Sequence, residues 1–391
     1  VIAAVTGTNG KTSTAHFLRQ IWAHAGHAAA ALGTTGVEGK GFEAPGSLTT
    51  PDQIGLHRLL DRLARAGCTH AAMEASSHGL AQHRLDGVRL AAGALTNISR
   101  DHLDYHGTME AYVSAKMRLF DGLLPEGAAA VVNAADPYAA RVREIAARRG
   151  LRLVTVGPGE ADLRILEQHL HRDGQDLRLL WAGREHAARV SLVGAFQGDD
   201  LALAAALALA TGTDETAVFG ALHHVAGVRG RMERVATRAA GAQVFVDYAH
   251  TPDALATALA ALRPHCGRRL TVVFGAGGDR DAGKRPLMGE AAAAHADHVI
   301  VTDDNPRSED PAAIRAAIMA GCPEAEEIAG RAEAILAGVD WTRGPGDCLL
   351  IAGKGHEQGQ EIAGRTEPFD DAEQARAAVA VLDADGAGGG R

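Results

Sequence analysis

The apolar run Val1 to Val5 feeds directly into Thr6-Gly7-Thr8-Asn9-Gly10-Lys11-Thr12, and a helical pattern over Thr12 to Ala25 follows. This strand–loop–helix order limits the fold more than any other stretch of the chain. It is the setting a phosphate-binding loop needs. Glycines let backbone N–H groups close around phosphate oxygens, and the helix N-terminus adds partial positive charge. Lys11 is placed to reach the terminal phosphates, and the Thr12 hydroxyl to hold Mg²⁺. The pattern departs from G-x-x-x-x-G-K-[ST] at its first glycine, where Val5 stands.

A chain of 391 residues exceeds one ordinary core, so two or three domains are expected. A net charge of −9 argues against a sequence-blind nucleic-acid binder. Cys68, Cys266, Cys322 and Cys348 are scattered, giving neither a disulfide framework nor a zinc pattern. That usage suits a reducing cytoplasm. No apolar run approaches the roughly 18–20 residues of a membrane span. The chain has no initiator Met and opens inside a strand, so an N-terminal part is expected to precede Val1. The glycine-rich tail, 384–391, reads as disordered.

Short apolar segments alternate with helical patterns. Strands are expected at Ala28–Leu32, Ala71–Glu74, Ala91–Thr96, Ala129–Asn133 and Leu151–Val156. Helices are expected from Asp52 to Ala66, over Thr108–Leu123 and over Pro137–Arg149. This alternation predicts a parallel, doubly wound α/β sheet with ligands beyond the carboxyl ends of its strands. Leu163–Leu192 differs: its alternating patterns meet at Asp173-Gly174, a hairpin signal. A boundary falls near Gly227–Gly230. A second βα series follows, at Val244–Asp247, Leu270–Phe274, His298–Thr302 and Cys348–Ile351.

Dense polar clusters sit at these strand ends: Met73 to Arg84, Thr96 to Gly107, Asp247 to Asp253, Gly277 to Asp281, Asp303 to Arg307 and Gly353 to Glu357. One such cluster is as well explained by a capped turn. Six of them, all where α/β active sites form, point to a site.

With these motifs the chain resembles the Mur ligases, ATP-dependent amide-bond-forming enzymes of peptidoglycan precursor synthesis. T-G-T-N-G-K-T marks the superfamily. M-E-x-S-S-H-G-L-x-Q-H-R, S-R-D-H-L-D-Y-H-G and D-Y-A-H-T-P-D are more specific and are similar to the MurE branch. D-N-P-R is associated there with meso-diaminopimelate as the added amino acid. The resemblance runs from Val5 to about Asp370. It implies a P-loop ATPase-type central domain over 1–227 and a Rossmann-like C-terminal domain over 228–391, with the branch's UDP-binding first domain absent. It implies an enzyme that phosphorylates the D-Glu γ-carboxylate of UDP-MurNAc-L-Ala-D-Glu with ATP and lets diaminopimelate displace the phosphate. The implied protein is cytoplasmic and monomeric, and neither binds nucleic acid nor inserts into a membrane.

The resemblance also assigns residues. Gly7, Thr8, Asn9, Gly10, Lys11 and Thr12 would bind ATP, with Arg231 and His250 from the C-terminal domain. Thr12, Glu74, His102 and Lys116, the last as a CO₂-derived carbamate, would hold two Mg²⁺ ions. Thr49, Thr50, Ser76, Gln82 and Arg84 would bind the UDP-MurNAc-dipeptide. Helix capping is the bland account of the two threonines, and an exposed helix lysine that of Lys116. Arg280, Asp304, Asn305, Pro306, Arg307, Gly353 and Glu357 would bind diaminopimelate, and lysine would leave Arg307 without a carboxylate to pair with. Gln197 and Asp200 replace asparagines common in relatives, in a segment read as helping to position the adenine end. The rival readings are an L-lysine-adding ligase, a folylpolyglutamate-synthase-like ligase, and a non-catalytic nucleotide-binding module.

Overall fold

A computed structural model describes residues 1–44, 46 and 48–388, with side chains through residue 384. It divides into two compact units: residues 1–169 with 175–226, and residues 170–174 with 227–391.

In the first unit ten strands form one sheet: β1 (Ile2–Thr6), β2 (Ala29–Gly33), β3 (Gly36–Glu38), β4 (His70–Glu74), β5 (Ala92–Leu95), β6 (Ala129–Asn133), β7 (Arg152–Gly157), β8 (Leu163–His171), β9 (Gly174–Trp181) and β10 (Arg184–Val190). Their spatial order is β10-β9-β8-β7-β6-β5-β1-β4-β2-β3. The pairs from β2 through β4, β1, β5, β6 and β7 to β8 are parallel. At the edges β3 runs antiparallel to β2, and β10 antiparallel to β9. The expected antiparallel piece over Leu163–Leu192 therefore exists, and it continues the main sheet.

The central strands are buried along nearly their whole length because both faces are covered. One cover is the helix Lys11–His24, whose Phe17, Leu18, Ile21 and Trp22 are buried. It packs on Ala195–Ala210, a helix apolar nearly all round. The helix predicted over Thr108–Leu123 divides in two: Met109–Arg118 is α-helical and Leu119–Leu123 is one π turn. Leu119 and Phe120, both in that turn, are fully buried.

In the second unit β11 (Glu233–Thr237), β12 (Gln243–Asp247), β13 (Leu270–Phe274), β14 (His298–Val301), β15 (Glu326–Glu327) and β16 (Cys348–Ala352) lie in the order β11-β12-β16-β13-β14-β15. Only β11 is antiparallel to its neighbour. A separate hairpin joins β17 (Gly359–Ile362) to β18 (Arg365–Pro368). The last helix runs Asp371–Gly388. The tail read as disordered from residue 384 is thus helical as far as Gly388; residues 389–391 lie outside the described residues. No described helix is long and apolar enough to cross a membrane.

Candidate active site

Three strand ends of the first unit build one site. β1 lies between β4 and β5, with Val5 opposite Glu74 and Thr6 opposite Leu95. The loop leaving β1 therefore turns between the ends of its two neighbours. It is strapped to the segment after β5. Thr8 N donates to Asn97 O (2.7 Å), Asn9 N to Asn97 Oδ1 (3.1 Å), and Thr96 Oγ1 to Asn9 O (2.6 Å). The Thr8 hydroxyl accepts from Ser99 N (2.9 Å) and meets the Tyr112 hydroxyl at 2.9 Å.

Two glycines are obligatory in this loop. A Cβ on Gly7 would lie 1.9 Å from Thr96 Oγ1. Gly10 has φ +82°, and a Cβ there would lie 2.3 Å from Asp200 Oδ1. Asp200, in the segment expected to help position the adenine end, packs beneath Gly10 at the start of the Lys11–His24 helix. Lys11 Nζ donates to Gly7 O (3.0 Å) and Thr8 O (2.7 Å), so the lysine arches over the loop. The closed cradle, the lysine and a helix starting at Lys11 fit an anionic phosphate chain.

A cavity of about 240 Å³ opens beside the loop. Lys11, Thr49, Thr50, Ser76, Arg84, His102 and Lys116 line it, with His78, which sequence reasoning did not single out. Seven expected residues, spread over 106 positions of sequence, thus share one wall. Thr12, Glu74 and Gln82 stand outside that lining. Glu74 is buried: its Oε1 accepts from Thr34 N (2.8 Å), and its carbonyl from Thr50 Oγ1 (2.9 Å). Ser76 N donates to the same Thr50 hydroxyl at 3.0 Å. Asp52, not either threonine, caps the next helix, accepting from Gly55 N. Thr49 and Thr50 are thereby left to shape the cavity. Gln82 Oε1 accepts from Arg84 Nε and Nη2 (3.0 and 2.5 Å), while Arg84 Nη1 reaches Thr50 O (2.7 Å). Gln82 therefore aims Arg84.

Lys116 is not the exposed helix lysine its spacing suggests. It is 1% exposed, its Nζ donates to Gly7 O at 2.6 Å, and it lies 4.5 Å from the centre of the Tyr112 ring. Burial drives its pKa well below the ordinary lysine range, and the nearby Lys11 charge adds to the effect. His102 sits at φ +50°, a left-handed conformation uncommon outside glycine, held by Asp101 Oδ1 accepting from its N–H at 2.8 Å. Desolvation lowers its pKa, which favours the neutral ring with a free lone pair. Among the described residues no three His, Cys, Asp or Glu side chains converge to hold a metal. One carboxylate, one hydroxyl and one imidazole suit an ion that takes its other oxygens from phosphates and water, as Mg²⁺ does.

In the second unit, the adjacent strands β16, β13 and β14 bring three loops to one edge. Gly353 has φ +115°, and a Cβ there would lie 2.5 Å from Asp304 Oδ2. Asn305 Nδ2 donates to Glu357 Oε2 (2.9 Å), and Asp304 Oδ1 accepts from Asn305 N (2.7 Å). Asp304, Asn305, Gly353 and Glu357 thus form one cluster. Pro306 is buried, and Arg307 follows it at φ +53°. Arg307 N donates to Glu361 O, its Nε to Glu361 Oε2 (3.1 Å) and its Nη1 to Gly278 O (2.7 Å). The expectation of a guanidinium that needs a ligand to find a carboxylate is therefore corrected: Arg307 has Glu361. Arg280 is exposed and flanks Gly277 with Arg307. Along the same sheet edge the Arg231 guanidinium lies 4.6 Å from the Tyr248 ring centre, and His250 Nδ1 lies 2.8 Å from Tyr248 O. Sequence reasoning missed Lys354, fully buried behind Glu357, and Arg331, fully buried behind Asp304.

Comparison with known proteins supplies the remaining context. Residues 5–208 match the Mur ligase middle domain, and residues 230–355 the Mur ligase glutamate ligase domain. A UDP-N-acetylmuramoyl-L-alanyl-D-glutamate–2,6-diaminopimelate ligase of Bradyrhizobium diazoefficiens is 54% identical over 97% of this chain and 79% of its own length. One of the same name from Chelativorans is 53% identical over 97% and 78%. A solved structure of a ligase of that name superposes with a TM-score of 0.71 at 38% identity, over 97% of this chain and 78% of the other. Folylpolyglutamate synthase of Mycobacterium tuberculosis, at 20% identity, shares the fold: TM-score 0.72 over 90% of this chain and 88% of that one.

Proposed function

This chain belongs to the Mur ligase family, and from that premise we propose that it joins meso-diaminopimelate to the D-Glu γ-carboxylate of UDP-MurNAc-L-Ala-D-Glu. The chain is an ATP-dependent ligase of peptidoglycan precursor synthesis, a reading supported by its family together with the ligase name its relatives carry. The γ-phosphoryl group of ATP passes to the carboxylate and ADP leaves. An amine of diaminopimelate then attacks the acyl phosphate, forming the amide and releasing phosphate. The observation that carries the reading is the cavity in which Lys11, Arg84, His102 and Lys116 meet.

Each residue has a physical task. The loop N–H groups and Lys11 hold phosphate oxygens and offset charge that grows during transfer. Arg84, aimed by Gln82, takes a carboxylate of the dipeptide, with Thr49 and Ser76 supplying neutral donors and Thr50, whose hydroxyl already donates to Glu74 O, shaping the wall between them. Mg²⁺, when bound, draws the anionic phosphate and carboxylate together; Thr12, Glu74 and His102 are the side chains that would hold it. We assign the carbamate to Lys116 on chemical grounds. A neutral amine attacks CO₂, a C–N bond forms, and one proton is lost to solvent. Burial supplies the neutral amine, and the carbamate N–H remains able to donate to Gly7 O. In the second unit Asp304 and Glu357 offer charge to an ammonium group, and Arg280 and Arg307 to carboxylates. Arg231 and His250 stay in the proposal as nucleotide contacts.

The test is phosphate release measured with ATP, Mg²⁺ and each substrate alone and together. Release that needs both UDP-MurNAc-L-Ala-D-Glu and meso-diaminopimelate is the expected result. Release with neither, or with L-lysine as readily as with diaminopimelate, overturns the reading.

A further inference from the structure

Lys354 lies between two left-handed glycines, Gly353 (φ +115°) and Gly355 (φ +54°). That reversal drives its side chain inward, and it is fully buried. Its Nζ has three acceptors for three protons: Asn305 Oδ1 (3.0 Å), Glu357 Oε2 (3.2 Å) and Gly359 O (2.5 Å). Burying an ammonium group is expensive, and well-packed apolar side chains serve stability at least as well as a buried ion pair. The lysine therefore calls for another explanation.

Its partners supply one. Asn305 Oδ1 accepts from both Lys354 Nζ and Glu361 N (2.9 Å), which turns Nδ2 toward Glu357. Both contacts to Glu357, from Asn305 and from Lys354, fall on Oε2, so Oε1 is the oxygen left to an incoming donor. Asp304 repeats the plan. Behind it stands Arg331, 3.9 Å from Asp304 Oδ2 and paired at 2.7 Å with the fully buried Asp371. Each carboxylate of the cluster has a buried cation at its back. Two carboxylates in one site repel, and a cation behind each offsets that repulsion.

We propose that Lys354 is the positioning residue of the amino-acid site: it fixes the Asn305 amide, holds Glu357 by its Oε2, and presents Glu357 Oε1 to an ammonium group of the incoming amino acid. This rests on the function proposed above. Lys354 touches no reacting atom, so its loss acts on binding of the amino acid and not on use of ATP.

The test compares the parent protein with Lys354→Met, Glu357→Gln and the double variant, reading KM for meso-diaminopimelate and for ATP separately. If the parent shows no diaminopimelate-dependent phosphate release, the functional reading fails, and this inference falls with it for that separate reason. Given parent activity, Lys354→Met should raise the diaminopimelate KM about 10- to 100-fold, the span of one lost charge-assisted contact, and leave the ATP KM within about threefold. Should Lys354→Met fail to fold, the double variant removes both charges of the pair and keeps the question open to measurement. Its diaminopimelate KM should match that of Glu357→Gln alone, since Lys354 acts through Glu357. A parallel rise in both KM values, a fall in kcat alone, or a double variant much worse than Glu357→Gln overturns the proposal.

Discussion

Lys116 Nζ donates to the carbonyl of Gly7 at 2.6 Å, joining a helix lysine to the first glycine of the phosphate loop across 109 positions of sequence. A lysine so enclosed, with Lys11 as a nearby charge, is poorly placed to stay an ammonium ion. The neutral amine is the form that captures CO₂, and capture turns a liability into an anion at the cavity that Lys11 and His102 also line.

Stripping CO₂ from buffer should therefore lower the ligase rate, and bicarbonate should restore it. Acid should lower it too, because protonation of the amine competes with carbamate formation and the depressed lysine pKa sets where that begins. Lys116→Ala should lose about 10²–10³-fold or more, with partial recovery in short carboxylic acids. A ¹³CO₂-equilibrated sample should show a carbamate carbon that the variant lacks. Full activity of Lys116→Ala without additives would end the carbamate assignment.

Lys11→Ala removes the fixed cation that bonds Gly7 O and Thr8 O. Phosphoryl transfer should fall by roughly 10²–10³-fold. The loop should keep its shape, because its ties to Asn97 and Ser99 do not involve the lysine side chain. The check is acyl-phosphate formation in a single turnover, beside a thermal melt showing an intact fold. Near-parent transfer would remove Lys11 from the phosphate site.

Much of the site is legible in the sequence, for a physical reason. Parallel sheets collect their functional loops at one edge, so polar clusters that follow apolar runs mark the site along the chain itself. Gly7 to Thr12, Ser76, Arg84 and His102 are recognisable in that way, whereas Thr49 and Thr50 come from the family resemblance alone. The illegible part depends on contacts far apart in sequence. Nothing in the pattern around Lys116 shows that Gly7 and Tyr112 enclose it. The packing of Asp200 under Gly10 is hidden likewise, because it spans 190 positions. Lys354 lies within a polar cluster, yet its burial follows from the left-handed turns beside it, and the Glu361 partner of Arg307 from a hairpin the strand patterns do not reveal.

Asp200 gives a pH prediction. Burial, with Asp199 beside it, holds its carboxyl well above the ordinary carboxylate range. The native state then keeps a proton over a pH span where the unfolded chain has lost it. Where the native state binds more protons, stability falls as pH rises. Asp200→Asn has no such proton to lose. The variant should match the parent near pH 4–5 and exceed it near pH 8, by a few degrees in Tm if about 1–2 kcal/mol is recovered. Thermal unfolding at both pH values checks it, and parallel pH profiles for the two proteins would show that Asp200 is not protonated in the native state.

Arg307 sets the last prediction. Its left-handed backbone is held by two main-chain bonds to the β17 edge: its N–H donates to Glu361 O, and Ala363 N donates to Arg307 O at 2.7 Å. The hairpin therefore aims the guanidinium together with Pro306. Glu361, half-exposed, is a partner that an incoming carboxylate can replace or share. Because Arg307 is paired before any ligand arrives, bound lysine would not strand a buried charge. The discrimination it gives is then the gain of one bidentate carboxylate contact, about 10- to 100-fold, and not the larger penalty of an orphaned cation. Arg307→Ala should raise KM for meso-diaminopimelate by that factor, change L-lysine use little, and so narrow the ratio of the two kcat/KM values. Glu361→Gln should act in the opposite sense, freeing the guanidinium and lowering the diaminopimelate KM. Steady-state kinetics with both amino acids on the three proteins decide the matter: an unchanged ratio in Arg307→Ala would remove Arg307 from amino-acid selection, and a raised KM in Glu361→Gln would show that the ion pair positions the arginine instead of competing for it.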